Sequence, residues 1–212
     1  MSSENFTKGQ GAQRNEINRF EKYTFEPEED DFLKTKTTFT EVFPKTIVNE
    51  VKSPDIRMEY SLNPYQGCEH GCSYCFARPT HEFWGYSAGT DFERKIMVKK
   101  NAPDLLEKFF QKRNYVPKTI TLSGNTDCYQ PAEREFEITR KILKLCLDYR
   151  HPVSILTKNA LVLRDLDILK PLSEQNLVSV SFSIPTINEE IRRKMEPRTS
   201  SVKNKLKAIE IL

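Results

Sequence analysis

Three of the five cysteines, Cys68, Cys72 and Cys75, fall within eight residues, inside the stretch NPYQGCEHGCSYCF that runs from Asn63 to Phe76. No other stretch restricts the fold as much, because three sulfurs at the spacing Cys-x3-Cys-x2-Cys must be turned toward one point. Gly67 and Gly71 lie inside the run and permit the positive-φ turns that this requires. An odd number of close thiols suits a metal better than a disulfide. Soft sulfur donors select iron–sulfur clusters, zinc or Cu(I). A cubane cluster is ordinarily held by four cysteines, so three ligands leave one iron open to a further group. A structural zinc site with His70 or His81 as fourth ligand is the alternative, although no second Cys-x2-Cys pair follows. Cys128 and Cys146 are single and far apart.

At 212 residues, 37% hydrophobic and 30% charged, the chain reads as one domain, or one domain plus an extension, with a sizeable core. Residues 1–50 carry seven Lys and Arg against ten Asp and Glu, and the remainder carries the basic excess. That excess tolerates an anionic partner without demanding one. No segment approaches about 18 consecutive apolar residues, and the N-terminus lacks a signal pattern. The expectation is a cytoplasmic protein with no membrane partner, where thiols stay reduced.

Residues 1–45 are polar, with an acidic knot at Glu26-Pro27-Glu28-Glu29-Asp30-Asp31 and scattered aromatics such as Phe20, Tyr23, Phe25 and Phe32. They read as a loosely ordered extension lying over a main domain of residues 46–212. Alternation over 46–51 reads as a strand, and Ile56 to Leu62 reads as a second strand that feeds the cysteine loop. Beyond it the pattern alternates. Helix is expected from Pro103 to about Lys112, strand over 119–123, and one long helix from Glu133 to Tyr149. Strands at 153–156 and 178–184 follow, with a helix from about Arg164 that Pro171 interrupts, and two more helices from Asn188 and Ser201. Strands alternating with helices argue a parallel sheet with right-handed crossovers. Polar residues at strand ends, such as Thr121 and Ser183, are where a barrel places its site.

Three such rims stand out. Ser123-Gly124-Asn125-Thr126-Asp127-Cys128 ends the strand at 119–123, Thr157-Lys158-Asn159 ends the next, and Ser181-Phe182-Ser183-Ile184 closes the last. Lys158 is a compact cation suited to a carboxylate. Glu196-Pro197-Arg198-Thr199-Ser200 offers a carboxylate and a guanidinium two residues apart.

The cysteine spacing, with Tyr74 directly before the last cysteine, resembles the signature of the radical S-adenosylmethionine (SAM) superfamily. The resemblance implies a [4Fe–4S] cluster on Cys68, Cys72 and Cys75. It also implies SAM chelated at the open iron and an adenine flanked by Tyr74 and Phe76. Taken in order, the later stretches are similar to the spore photoproduct lyase-like branch. That likeness runs from about Glu59 to Leu212. It implies that Thr126, Lys158 and Ser183 contact the SAM carboxylate or ribose, with Glu196 and Arg198 near the same rim. The fold implied is α/β, a partial (β/α) barrel of the radical SAM type, here cut short after about four βα units. The activity implied is reductive cleavage of SAM to a 5′-deoxyadenosyl radical that takes hydrogen from a substrate. A one-electron reductant of flavodoxin or ferredoxin type would serve as partner, and nucleic acid stands among the candidate substrates. One departure separates the chain from the lyase. The hydrogen-donating cysteine of that enzyme precedes its Thr-Ser-Asp turn, where Gly124 stands here, and Cys128 lies on the far side of Asp127. Two rival readings remain: a zinc-stabilised nucleic-acid-binding module using Arg192-Arg193-Lys194, and a catalytically silent fragment.

Overall fold

The computed structural model describes residues 7–20, 36–56 and 58–212. The acidic knot and Tyr23, Phe25 and Phe32 lie outside the described residues. Strands β1 (Thr38–Val42), β2 (Val48–Glu50), β3 (Tyr60–Leu62) and β4 (Tyr65–Gln66) lead into the cysteine loop. A 3₁₀ helix at Arg78–Trp84 and helix α1 (Asp91–Arg94) follow, then strand β5 (Lys95–Lys99), helix α2 (Ala102–Phe110) and strand β6 (Ile120–Leu122). The remaining elements are α3 (Glu133–Phe136), α4 (Ile138–Asp148), β7 (Val153–Thr157), a 3₁₀ helix at Ala160–Asp165, α5 (Leu166–Glu174), β8 (Val178–Phe182), α6 (Glu189–Met195) and α7 (Val202–Ile211).

The main sheet has the order β2-β3-β6-β7-β8, with β3, β6, β7 and β8 mutually parallel and β2 antiparallel at one edge. This is the expected α/β architecture, with the parallel strands joined through helices. Ile120, Leu122, Val153 and Ile155 are buried in its centre against Leu106, Ile142, Leu143, Leu169 and Leu172 of the helices. β8 is the other edge, and only half-buried. Together with α5 and α7 it lines an open groove of ≈ 730 Å³.

A second sheet, β1-β5-β4, was not expected. Lys95-Ile96-Met97-Val98-Lys99 buries its three central residues. It pairs in parallel with β1, from Thr38↔Lys95 to Val42↔Lys99, and antiparallel with β4. The pairing therefore brings Thr38–Val42, from the stretch read as extension, into a sheet.

Two helices differ from expectation. The long helix is broken at Glu137, which is left-handed with φ 50°. The cause is Glu133, whose buried carboxylate accepts from the Thr139 and Arg140 backbone N–H groups at 2.9 and 3.2 Å. It thereby satisfies donors that the first turn of α4 leaves free. Pro171, by contrast, does not end its helix. It removes one backbone bond inside α5, while Ile168, Leu169 and Leu172 stay buried and hold the helix in place.

Candidate functional site

Gly67 and Gly71 adopt φ 78° and 66°, so the two glycines supply the left-handed turns on either side of Cys68. At Gly67 a Cβ would stand 3.0 Å from both the Lys95 and Phe92 carbonyl oxygens. This close approach lets Cys68 N–H donate to Phe92 O at 2.8 Å. Gln130 holds the same turn from α3's side, accepting from Glu69 N–H and donating to Gly67 O. Further along, Arg78 donates to Cys72 O through Nε and Nη2 at 3.1 and 2.9 Å, and Ser73 N–H donates to Met195 O.

The loop so held opens all three thiols onto one cavity of ≈ 140 Å³. The walls are the rims of the central strands: Ser123, Asn125 and Asp127 after β6, and Leu156, Thr157 and Lys158 at the end of β7. Burial, and then the neighbouring Cys68 sulfur, push the Cys72 thiol well up, and burial likewise raises Cys75. Such thiols need a cationic centre to become thiolates, which is the chemistry of a metal-ligand set. Among the described residues, no three His, Cys, Asp or Glu side chains are gathered so as to hold a metal ion. A tetrahedral zinc would require its sulfurs only about 4 Å apart. The three cysteines share one cavity lining.

Of the two histidines, His70 lines the cavity with the cysteines and His81 does not. His70 is buried, and its Nδ1 lies 3.4 Å from Asp127 Oδ2 while Nε2 meets Asn159 Nδ2 at 3.3 Å. Burial works to lower His70, but the Asp127 carboxylate and Cys68 outweigh it and lift it to about 10. Asp127 is held low in return by the His70 charge, against the opposing effect of burial. His81 packs between Tyr86 and Phe92 instead, outside the cavity lining, and burial lowers it to about 4.

The other residues singled out divide into two groups. Tyr74, Phe76 and Lys158 line the cavity with the thiols, Tyr74 47% and Phe76 77% exposed. Thr126, Ser183, Glu196 and Arg198 surround it without lining it. Thr126 is buried and donates its hydroxyl to Tyr65 O at 2.8 Å. Ser183 N–H donates to Thr157 O at 3.0 Å. Glu196 is fully buried and accepts the Tyr74 hydroxyl and Lys205 Nζ. Arg198 donates to Gly9 O at 2.7 Å. Cys128 is buried in the main core, with burial holding its thiol high, and does not reach the cavity.

Asp127 is the residue whose importance the sequence understated, since it stood there only as one member of the rim after the strand at 119–123. Its Oδ1 accepts from Tyr129 N–H and Thr157 Oγ1, each at 2.8 Å, and its Oδ2 from Lys158 N–H at 2.7 Å. With His70 on the same carboxylate, one side chain joins the cysteine loop to the ends of β6 and β7.

Residues 62–212 match the model of the radical SAM superfamily. The chain belongs to that superfamily. Its members use a [4Fe–4S] cluster and SAM. An uncharacterised protein of Mycobacterium tuberculosis is 36% identical over 81% of this chain and 51% of its own length. Another, from Methanocaldococcus jannaschii, is 32% identical over 85% of this chain and 64% of its own. The chain thus spans about half the length of the mycobacterial relative. Among solved structures, spore photoproduct lyase with bound AdoMet and dinucleoside spore photoproduct shares the fold, with a TM-score of 0.56 at 18% identity, over 81% of this chain and 46% of that one. No helix among the described residues is long and apolar enough to cross a membrane.

Proposed function

We propose that this chain carries the cluster- and SAM-binding portion of a radical SAM enzyme, with Cys68, Cys72 and Cys75 as the cluster ligands. The observation that supports the reading best is the opening of those three buried or half-buried thiols onto one cavity, within a domain of matching family. When bound and reduced by a flavodoxin- or ferredoxin-type donor, a cluster held by these cysteines would supply the electron for cleavage of SAM to methionine and a 5′-deoxyadenosyl radical.

The chain's own residues bind and orient. Lys158 presents an ammonium at the end of β7 for the SAM carboxylate. Tyr74 and Phe76 offer ring faces at the cavity mouth for the adenine. Thr126 and Ser183 complete the rim by fixing the backbone on which those groups stand. Glu196 and Arg198 serve the same site from behind the cysteine loop. The His70–Asp127 pair stands beside Cys68 and fixes that side of the cysteine loop. A 5′-deoxyadenosyl radical would take hydrogen from a substrate, of which a nucleic acid is one class.

The test is anaerobic reconstitution with iron and sulfide, followed by iron analysis and visible absorption. Wild type should turn brown, bleach with dithionite and release 5′-deoxyadenosine from SAM. Cys72→Ala should lose the cluster, and full iron and sulfide retention in that variant would reject the ligand assignment. Stoichiometric zinc in a colourless wild type would instead favour a zinc module.

A further inference from the structure

The connection between α6 and α7 is laid directly across the cysteine loop. Met195 O accepts from Ser73 N–H at 2.9 Å, Arg198 N–H donates to His70 O at 3.2 Å, and Ser200 N–H donates to Lys158 O at 3.2 Å. In the middle of this connection, the Glu196 side chain is 0% exposed and meets Lys205 of α7, 1% exposed, at 2.9 Å. An ion pair so deeply buried is poor evidence for stability, because both partners surrender their hydration. Its arrangement is more informative. Glu196 Oε1 accepts the Tyr74 hydroxyl, and Oε2 takes Lys205 Nζ, with Thr199 Oγ1 at 3.4 Å. Lys205 also donates to Ser183 O, at the end of β8, at 3.3 Å. Arg192 secures the same turn through Glu196 O at 2.7 Å.

Tyr74 is 47% exposed, so little apolar packing holds its ring. The hydroxyl is the anchor, and the anchor's carboxylate is compensated by Lys205 alone among charged side chains within ion-pairing distance in the described residues. We propose that Lys205 is a positioning residue. Through Glu196 it fixes the Tyr74 ring at the mouth of the cysteine cavity, and so sets the affinity for the SAM adenine. The inference rests on the cofactor reading above, but its geometric half stands without it.

Three variants separate the possibilities. Lys205→Met leaves the Glu196 carboxylate buried and uncompensated, which should push it away from Tyr74. Tyr74→Phe removes the anchor directly. Glu196→Gln with Lys205→Met restores a neutral acceptor for the hydroxyl. The first readout is amide hydrogen exchange of residues 72–76 in the cluster-free protein. Both single variants should speed exchange there, relative to β6 and β7, and the double variant should return it toward wild type. Unchanged exchange in Lys205→Met would overturn the proposal. The second readout is SAM affinity of the reconstituted protein by anaerobic equilibrium dialysis, at matched iron content. The single variants should bind SAM about tenfold more weakly, as is usual when a supporting contact is removed, with recovery in Glu196→Gln/Lys205→Met. Wild-type SAM affinity in Lys205→Met at full iron content would overturn the link to the adenine. A wild type that takes up no cluster or binds no SAM, together with faster exchange in Lys205→Met, would reject the cofactor reading and keep the positioning role.

Discussion

Gly11 is the position where a single methyl group should undo the most structure. Residues 9–12 lie over the cysteine loop and 14–19 continue along residues 82–91, and a Cβ on Gly11 would sit 1.8 Å from Gly71 O, 2.8 Å from Gly71 C and 3.0 Å from Ser73 N. All three obstacles are backbone, so no side chain can swing aside. Gly11→Ala must therefore lift the segment by roughly 1.5 Å to bring the nearest of these to ordinary contact at 3.4 Å. That displacement breaks the bonds holding residues 9–12 down: Ala12 N–H to Glu93 Oε1 at 2.8 Å, Gly11 N–H to Glu93 Oε2 at 3.3 Å, and Arg198 Nε to Gly9 O at 2.7 Å. With them gone, only the bonds of Asn15, Asn18 and Arg19 and that of Arg14 O still tie the segment down among the described residues. Hydrogen bonds to charged groups contribute about 1.5–3 kcal/mol each. Glu93 keeps Arg78 at 2.5 Å, and the freed N–H groups regain water, so a net loss of about 3 kcal/mol is the working figure. Opening confined to this segment would be local, so the suitable assay is trypsin cleavage after Arg14 and Arg19. A loss of about 3 kcal/mol should speed it roughly 100-fold when opening is in fast equilibrium. Gly9→Ala is the control. Gly9 has φ 85° with nothing within 4 Å of its Cβ position, so only backbone strain of about 1 kcal/mol applies, worth roughly fivefold in the same assay. Equal cleavage of Gly11→Ala and wild type, or a larger effect from Gly9→Ala, would refute the reasoning.

Two further outcomes follow from buried charge. Arg164 Nη2 lies 2.7 Å from Glu133 Oε1 and 2.9 Å from Asp165 Oδ2, both carboxylates being 0% exposed. Arg164→Leu removes a partner both share and should destabilise by about 3–5 kcal/mol, lowering Tm by roughly 10 °C. A shift under a degree or two by scanning calorimetry would contradict this. His151 is stacked 4.2 Å from the Phe110 ring, its Nε2 lies 2.7 Å from Tyr115 Oη, and burial lowers it to about 4. The unfolded chain takes up this proton near pH 6.5, so the stabilisation is complete above that value and is lost as pH falls toward 4. The urea midpoint should therefore drop more between pH 7.5 and 5 in wild type than in His151→Phe, and an equal drop would count against it.

The cysteine loop was legible because its chemistry is local: sulfur spacing and two glycines decide it within a few residues. The central parallel sheet was legible for a similar reason, since each strand sets apolar residues against Ser or Thr within a few positions. β5 was missed although Ile96-Met97-Val98 between two lysines was a readable signal. Its partners β1 and β4 are short and polar enough to hide the sheet. The break at Glu137 had no signal, because it depends on where the Glu133 carboxylate points once buried. Tyr74 shows the same limit at the site. Its place in the motif was plain, but its bond to Glu196 spans 122 residues of sequence and exists only when α6 and α7 have docked.

These particulars bear on how the cavity can accept a large group. The cysteine loop has only a small apolar cluster of its own, Cys68, Ala77 and Phe92 with Cys75 against it, separate from the main core. What fixes the loop is polar and peripheral: Gln130 and Phe92 O at its start, Arg78 on the Cys72 carbonyl, and Met195 and Arg198 at its crown. None of these bonds uses a thiol. A loop fastened by its backbone carbonyls and N–H groups can keep three sulfurs facing one cavity, with burial pushing the Cys72 and Cys75 thiols up. An apolar plug would have the opposite consequence, filling the space between the sulfurs and leaving no room for a ligand. The polar fastening therefore makes a specific demand on sequence. Substitutions at Gln130, Arg78 or Glu93 should disturb the loop even though none of the three lines the cavity, whereas conservative changes at Ala77 or Phe92 should matter chiefly through stability.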